Sequence, residues 1–264
     1  EGVGMVLLRR LDDVKNESPR ILGIIRGSGW SNDGKGKFVL SPNPVGQKRA
    51  YERAYKEADL NPSEVNYLEC HATGTPLGDS IEAQSISDFY NNKLPLLGSV
   101  KSNVGHMLTA AGMSSLAKIL GAFGTQTIPA SIRIENPQLA EGKIFKSSSK
   151  WLKAESPRVG AINSFGFGGT NAHMILQDKI QESSEDSIQN QNFSLYVTGF
   201  EACFGSCLDR LQMAEALQRC ETQIKSLPPK RWRGMETSSV HRAAFLEEFE
   251  IDLRALKLPP HEKE

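Results

Sequence analysis

Twice in this sequence a short apolar run breaks into a polar, histidine-bearing loop that opens a helix. The first run is Val65-Asn66-Tyr67-Leu68-Glu69-Cys70. It passes into His71-Ala72-Thr73-Gly74-Thr75-Pro76-Leu77-Gly78-Asp79 and a helix expected from about Ser80. The second is Leu94 to Val100, passing into Lys101-Ser102-Asn103-Val104-Gly105-His106 and then the apolar stretch Met107 to Phe123. That stretch has the composition of a buried helix, with Leu108, Ala110, Ala111, Met113, Leu116, Ile119 and Leu120 in its core face. Repeated strand, loop and helix argue α/β layers, in which chemistry sits on loops at the carboxyl ends of strands. If the two strands are sheet neighbours, both imidazoles face one cleft. Polar groups buried beside an interior helix need partners or a task.

The remaining elements follow the same logic. Residues 1–9 and Arg20 to Gly29 read as strands, and Gln47 to Ala58 as a helix with Ala50, Tyr51, Ala54, Tyr55 and Ala58 on one face. Arg158 to Asn163 and Ala172 to Leu176 are strands joined by Ser164-Phe165-Gly166-Phe167-Gly168-Gly169-Thr170-Asn171, a crossing expected to form a tight hairpin deep in the fold. Residues 178–192 have a linker's composition. Residues 193–264 then begin again, with a strand at Ser194 to Thr198 and a helix from Leu208 to Gln218.

Composition excludes several classes. Lys+Arg and Asp+Glu both total 31, so no charge excess points to nucleic acid or an anionic membrane. No apolar run reaches the roughly 18 residues of a membrane span. The four cysteines, Cys70, Cys203, Cys207 and Cys220, fit neither a disulfide framework nor a zinc site. A reducing, cytoplasmic setting is expected. Glu1 opens on a strand already under way, as in a piece of a longer polypeptide.

Several residues have ordinary readings. Adjacent strand residues point to opposite faces, so Cys70 is read as a packed apolar residue rather than a partner of His71. Asp79 and Glu82 read as first-turn helix acids. The Gly166–Asn171 loop has no GK[ST] ending and no following helix, so it is not a phosphate loop. Its glycines can instead bring backbone N–H groups to a reacting carbonyl. Paired imidazoles can both donate to one developing oxyanion, and Lys101 can hold the local potential positive.

The three stretches His71–Asp79, Lys101–His106 and Asn163–His173 resemble, in order and spacing, the C-terminal signatures of β-ketoacyl synthases. The resemblance covers residues 1–177, and points to the ketosynthase domains of modular polyketide synthases and of polyunsaturated-fatty-acid-type megasynthases. Ala72 stands where glycine is commoner. The resemblance implies a thiolase-like α/β fold, layered α/β/α/β/α, of which this chain would be the C-terminal half. It implies a decarboxylative Claisen condensation of malonyl-type units with an acyl thioester. His71, His106 and Lys101 would serve decarboxylation, and the Phe167 N–H the oxyanion hole, with its ring gating the pocket. Thr73, Thr75, Phe165, Gly168 and Asn171 would contact substrate, the two threonines along its pantetheine arm. No metal or bound cofactor is implied, the substrates being carried on the phosphopantetheine of an acyl carrier protein. Partners would be that carrier, a second copy in a homodimer and other domains of the same megasynthase. In this family the nucleophilic cysteine lies in the N-terminal half, so none of the four cysteines here is expected to serve. The tail, through Tyr196-Val197-Thr198-Gly199-Phe200 and Leu227-Pro228-Pro229-Lys230-Arg231-Trp232, resembles the start of a second ketosynthase-like domain. A non-catalytic partner of chain-length-factor type is the competing reading, against which the retained His71, Lys101 and His106 speak.

Overall fold

The computed structural model describes residues 1–10, 13, 21–34, 41–91, 93–138, 143–144, 146–151, 156–179, 195–228 and 242–246. Apolar runs become strands and the amphipathic runs helices. In chain order the main elements are β1 (Gly2–Arg10), β2 (Gly23–Asn32), α1 (Pro44–Ala58), β3 (Tyr67–Glu69), α2 (Pro76–Tyr90), β4 (Leu96–Gly98) and the one-turn α3 (Lys101–Val104). Then follow α4 (Ala111–Thr125), β5 (Thr127–Ile128), β6 (Ser149–Lys150), β7 (Val159–Phe165), β8 (Thr170–Gln177), β9 (Leu195–Phe204) and α5 (Arg210–Gln218). A small ladder, β10 (Lys225–Ser226) with β11 (Arg242–Ala243), ends the described chain.

Seven strands form one mixed sheet in the order β1-β9-β2-β8-β7-β3-β4. β3 pairs in parallel with both β4 and β7, with Glu69 opposite Gly98 and Ile162. The expected adjacency of the two histidine-bearing strands is therefore present. α1 starts three residues before the predicted helix: Pro44 occupies its first turn and the Asn43 side chain accepts from Val45 N at 3.0 Å. Its alanine face lets β2 approach closely. A Cβ on Gly29 would stand 1.8 Å from the Ala50 carbonyl oxygen, so helix and sheet meet backbone to backbone only because this strand position is glycine.

Three expectations are corrected. The second histidine loop does not run straight into the long helix. α3 forms first, Gly105 breaks it at φ +79°, and a 3₁₀ turn at Leu108–Ala110 precedes α4. Leu108, expected in the buried face, is 70% exposed. The β7–β8 hairpin is tight, with Gly168 and Gly169 at φ +86° and +80° as its turn demands, but its tip is at the surface rather than deep in the fold.

The predicted linker, 178–192, lies almost wholly outside the described residues. Beyond it β9 lies between β1 and β2, antiparallel to both. Ala202, Phe204, Cys207, Met213 and Leu217 from this tail share a core with Val100, Val104, Met107 and Ala117. The tail thus packs beneath α3 and α4, the elements that carry the second histidine loop.

Candidate active site

His71 leaves β3 and His106 follows α3, and their rings meet. The centroids are 5.7 Å apart with planes at 89°. Phe165, at the end of β7, closes the far side of His71 at 5.5 Å. Three neighbouring strand ends thus place one edge of the cluster each, as parallel pairing of β3 with β4 and β7 dictates.

The protonation of the two imidazoles follows from their surroundings. His106 Nδ1 accepts from the Leu108 backbone N–H at 3.1 Å. A neutral imidazole that accepts at Nδ1 carries its proton on Nε2, so His106 presents a donor. The donated N–H belongs to Leu108, whose φ of +48° is unusual for a branched side chain and directs the N–H back at the ring. His71 is half-buried, and its Nδ1 is buried without a hydrogen-bond partner. Burial, then the Lys101 charge and His106, pull the His71 pKa down to about 3. The pKa of His106 is lowered too, by burial and by Lys101. Both rings are neutral hydrogen-bonding groups at physiological pH.

Lys101 is 8% exposed. Burial lowers its pKa, while Glu69 and Glu82 oppose that shift. A cavity of about 610 Å³ opens beside it, with Thr73, Lys101, His106, Arg133 and Ile144 among its lining residues. Thr73 and Thr75 hydroxyls lie 3.0 Å apart, and Thr75 occupies the N-cap of α2 without capping it through its side chain.

The other candidates fall into two groups. Phe167, 81% exposed, and Gly168 sit at the hairpin tip. Asn171 is buried, and its amide donates to Asp33 Oδ1 at 2.7 Å, to the Gly169 carbonyl and to Ser31 Oγ. That hydrogen bonding pins the hairpin to β2, and Phe167, Gly168 and Asn171 do not line the cavity. The structure therefore gathers His71, His106, Lys101, Phe165 and Thr73, with Thr75 alongside, and holds Asn171 in the hairpin whose exposed tip carries Phe167 and Gly168.

Cys70, Cys203 and Cys207 are not activated. Cys70 is buried as predicted, its thiol pKa raised well above the usual value by burial and by Glu82 and Glu69. Burial also raises Cys203, and pushes Cys207 up to about 11. Among the described residues no cluster of three or more metal-ligating side chains occurs, and no helix is long and apolar enough to cross a membrane.

Sequence reasoning missed Glu82, Asn163, Glu69 and Lys118. Glu82, read as an ordinary first-turn acid, is 4% exposed and accepts from the backbone N–H groups of His71 and Ala72, each at 2.8 Å. Its signal was its place in the stripe Glu82, Ile86, Tyr90, spaced by four on the buried face of α2. Ala72 adopts φ +35°, where glycine sits without cost. Ala72→Gly is accordingly expected to stabilise the chain by about 1 kcal/mol or less, the gain being reduced by the extra freedom of the unfolded glycine. Thermal unfolding of the pair of proteins measures it.

A mixed sheet with two histidine loops at adjacent strand ends, backed by α4, is the arrangement of the C-terminal half of a thiolase-like fold. Residues 22–135 match the family described as beta-ketoacyl synthase, C-terminal domain. Highly reducing polyketide synthase otaA of Aspergillus carbonarius is 41% identical over 99% of this chain and 10% of its own length. A polyunsaturated fatty acid synthase of Thraustochytrium sp. is 29% identical over 98% of this chain and 14% of its own length. Among solved structures, a PfaC keto synthase–chain length factor superposes with a TM-score of 0.62 at 37% identity, covering 94% of this chain and 28% of that one. The ketosynthase from module 6 of the bacillaene synthase of Bacillus subtilis 168 gives 0.60 at 31% identity, covering 65% of this chain and 33% of that one. Residues 22–135 thus belong to the β-ketoacyl synthase family, as its C-terminal domain. It spans at most 14% of the length of these curated relatives.

Proposed function

We propose that this chain supplies the decarboxylating half of a ketosynthase site. Its substrate would be a malonyl-type thioester on the phosphopantetheine of an acyl carrier protein. His71 and His106 receive the thioester oxygen as CO2 leaves and enolate charge develops there. The observation that carries this reading is the perpendicular imidazole pair, one ring fixed as an Nε2–H donor, the other holding a buried, unpartnered nitrogen. Lys101 keeps the site electropositive, which favours loss of a carboxylate and holds both rings neutral. The Phe167 N–H then completes an oxyanion hole for the acyl partner, and its ring gates the pocket. Thr73, Thr75, Phe165 and Gly168 serve substrate in this reading, the threonines along the pantetheine arm, while Asn171 holds the hairpin that carries Phe167 and Gly168.

The nucleophilic cysteine that accepts the acyl chain is supplied from outside residues 1–264, since no cysteine here has the setting for it. The partners are the carrier protein, a second copy in a homodimer and further domains of a megasynthase, in the cytoplasm. Residues 193–264 begin a second ketosynthase-like domain. The solved keto synthase–chain length factor, matching 94% of this chain, supports that part of the reading. It also keeps the non-catalytic, chain-length-factor-type reading in play, which the imidazole geometry disfavours.

The test offers the chain a malonyl-loaded carrier protein. Release of CO2 above background is expected, with no covalent acylation of the chain. Removing one oxyanion donor, by His71→Ala or His106→Ala, is expected to lower that release about 10²-fold or more. No release, or release indifferent to both substitutions, would sink the proposal. Stable acyl transfer to any of the four cysteines would overturn the assignment of the nucleophile elsewhere.

A further inference from the structure

Behind His71 lies a buried polar chain that the reaction as proposed does not use. Glu82 Oε1 accepts from the His71 N–H and from Asn163 Nδ2, both at 2.8 Å, and Oε2 accepts from the Ala72 N–H at 2.8 Å. Asn163, on β7, is 1% exposed, and its Oδ1 lies 2.7 Å from His173 Nδ1. His173 is the cross-strand partner of Asn163 on β8 and is also 1% exposed. Its ring sits against Tyr51 at 4.8 Å and stacks on Tyr55 at 5.7 Å.

Hydrogen-bond directions along this chain are fixed by chemistry. A carboxylate only accepts, so the Asn163 amide presents its NH2 to Glu82. Its carbonyl oxygen then faces His173, which must donate from Nδ1. His173 Nε2 is left bare and buried without a partner. Reversing the asparagine would set its oxygen against Glu82 and break both links. The Glu82 carboxylate and Tyr51 OH on one side and the His173 Nδ1 proton on the other hold Asn163 in one orientation. Asn163 in turn occupies the Glu82 oxygen that also holds the His71 backbone.

We propose that His173 and Asn163 are positioning residues for the decarboxylation site, orienting Glu82 so that its two oxygens clamp the backbone of His71 and Ala72. The clamp matters because Ala72 is held at φ +35°, a conformation alanine leaves readily when nothing restrains it. Without the clamp the loop relaxes, and the His71 ring loses its set distance from His106. This inference rests on the proposed role of His71, and its test separates the two.

The whole chain, labelled with ¹⁵N-histidine, is compared with His173→Phe and His173→Asn. Asparagine retains a donor for Asn163 and phenylalanine does not. His173→Phe is expected to shift the His71 imidazole resonances and to move the His71 titration midpoint up toward the ordinary histidine value. It should also lower kcat for CO2 release about tenfold with KM unchanged. His173→Asn should restore most of each effect. If the wild-type chain releases no CO2, the proposed function fails while the imidazole resonances still decide this inference. Unmoved His71 resonances and midpoint in a folded His173→Phe chain would overturn it, as would a His173→Asn chain no better than His173→Phe. Should His173→Phe not fold, Glu82→Gln, which keeps the shape but loses one acceptor, decides on the same two His71 readouts.

Discussion

Replacing Lys118 by methionine is expected to remove about 3–5 kcal/mol of folding free energy, the usual cost of stripping one partner from a buried ion pair. Lys118 Nζ lies 3.0 Å from Glu69 Oε2, and both side chains are fully buried. The approach is not aligned as a hydrogen bond, so the attraction is chiefly Coulombic, with the Tyr67 ring 5.4 Å from the ammonium. Glu69 also accepts from the Val100 N–H through Oε1, and from Tyr67 OH at 2.6 Å through Oε2. One carboxylate therefore ties the end of β3 to the start of α3. Glu69 precedes His71 by two residues and Val100 immediately precedes Lys101, so a change here loosens both histidine loops together. Leaving Glu69 buried without its cation is the costly step. The double replacement Lys118→Met with Glu69→Gln is accordingly expected to be milder than Lys118→Met alone. Urea unfolding of the three proteins measures this. A loss below about 1 kcal/mol would show that the pair does not hold the strand ends.

Lys118 also marks the limit of what the sequence discloses. A single cation inside the run Met107 to Phe123 was visible, but the acid it meets lies 49 positions earlier, on a strand whose neighbours local pattern does not name. The elements themselves were legible. Strand periodicity, the buried face of α1 and the two histidine loops needed only nearby residues, and they put His71, Lys101 and His106 on strand ends that the sheet makes adjacent. The motif resemblance added the family. What remained hidden was long-range. The insertion of β9 between β1 and β2 depends on register across the sheet, since a two-residue spacing fixes a strand's faces without choosing its partners. Glu82 looked like a first-turn acid because it lies near the start of α2. Only its four-residue spacing to Ile86 and Tyr90 shows that it faces inward, and only the fold shows which N–H groups await it. The break at Gly105 was missed for the opposite reason. The apolar run after it was strong enough to suggest one continuous helix, although its first residues form a separate turn.

Acid should begin to destabilise this protein before its carboxylates reach their ordinary titration range. His71 and His173 are both held neutral by burial, with pKa values pulled down to about 3. In the unfolded chain each takes up a proton near pH 6.5. Between those two values the unfolded state binds more protons than the folded state, so stability falls as pH drops below about 6.5. At most each group contributes about 1.4 kcal/mol per pH unit, or about 2.7 kcal/mol per unit for the two. His106, also lowered, acts in the same direction. Asp79 and Glu82 act oppositely. Burial raises both, so the folded state favours their protonated forms, and they return some stability as pH falls through the carboxylate range. The histidines therefore dominate between about pH 6.5 and pH 5. By pH 4 the two would have withdrawn about 7 kcal/mol, comparable to the whole stability of an ordinary domain. Urea unfolding at half-unit steps from pH 7.5 to pH 4.5 should show a plateau above pH 7 and a steepening fall below pH 6.5. His173→Asn should remove roughly half of the limiting slope. A flat profile between pH 7 and pH 5 would mean that both imidazoles titrate normally in the folded chain. In that case the neutral, desolvated His71 on which the proposed decarboxylation rests would not exist.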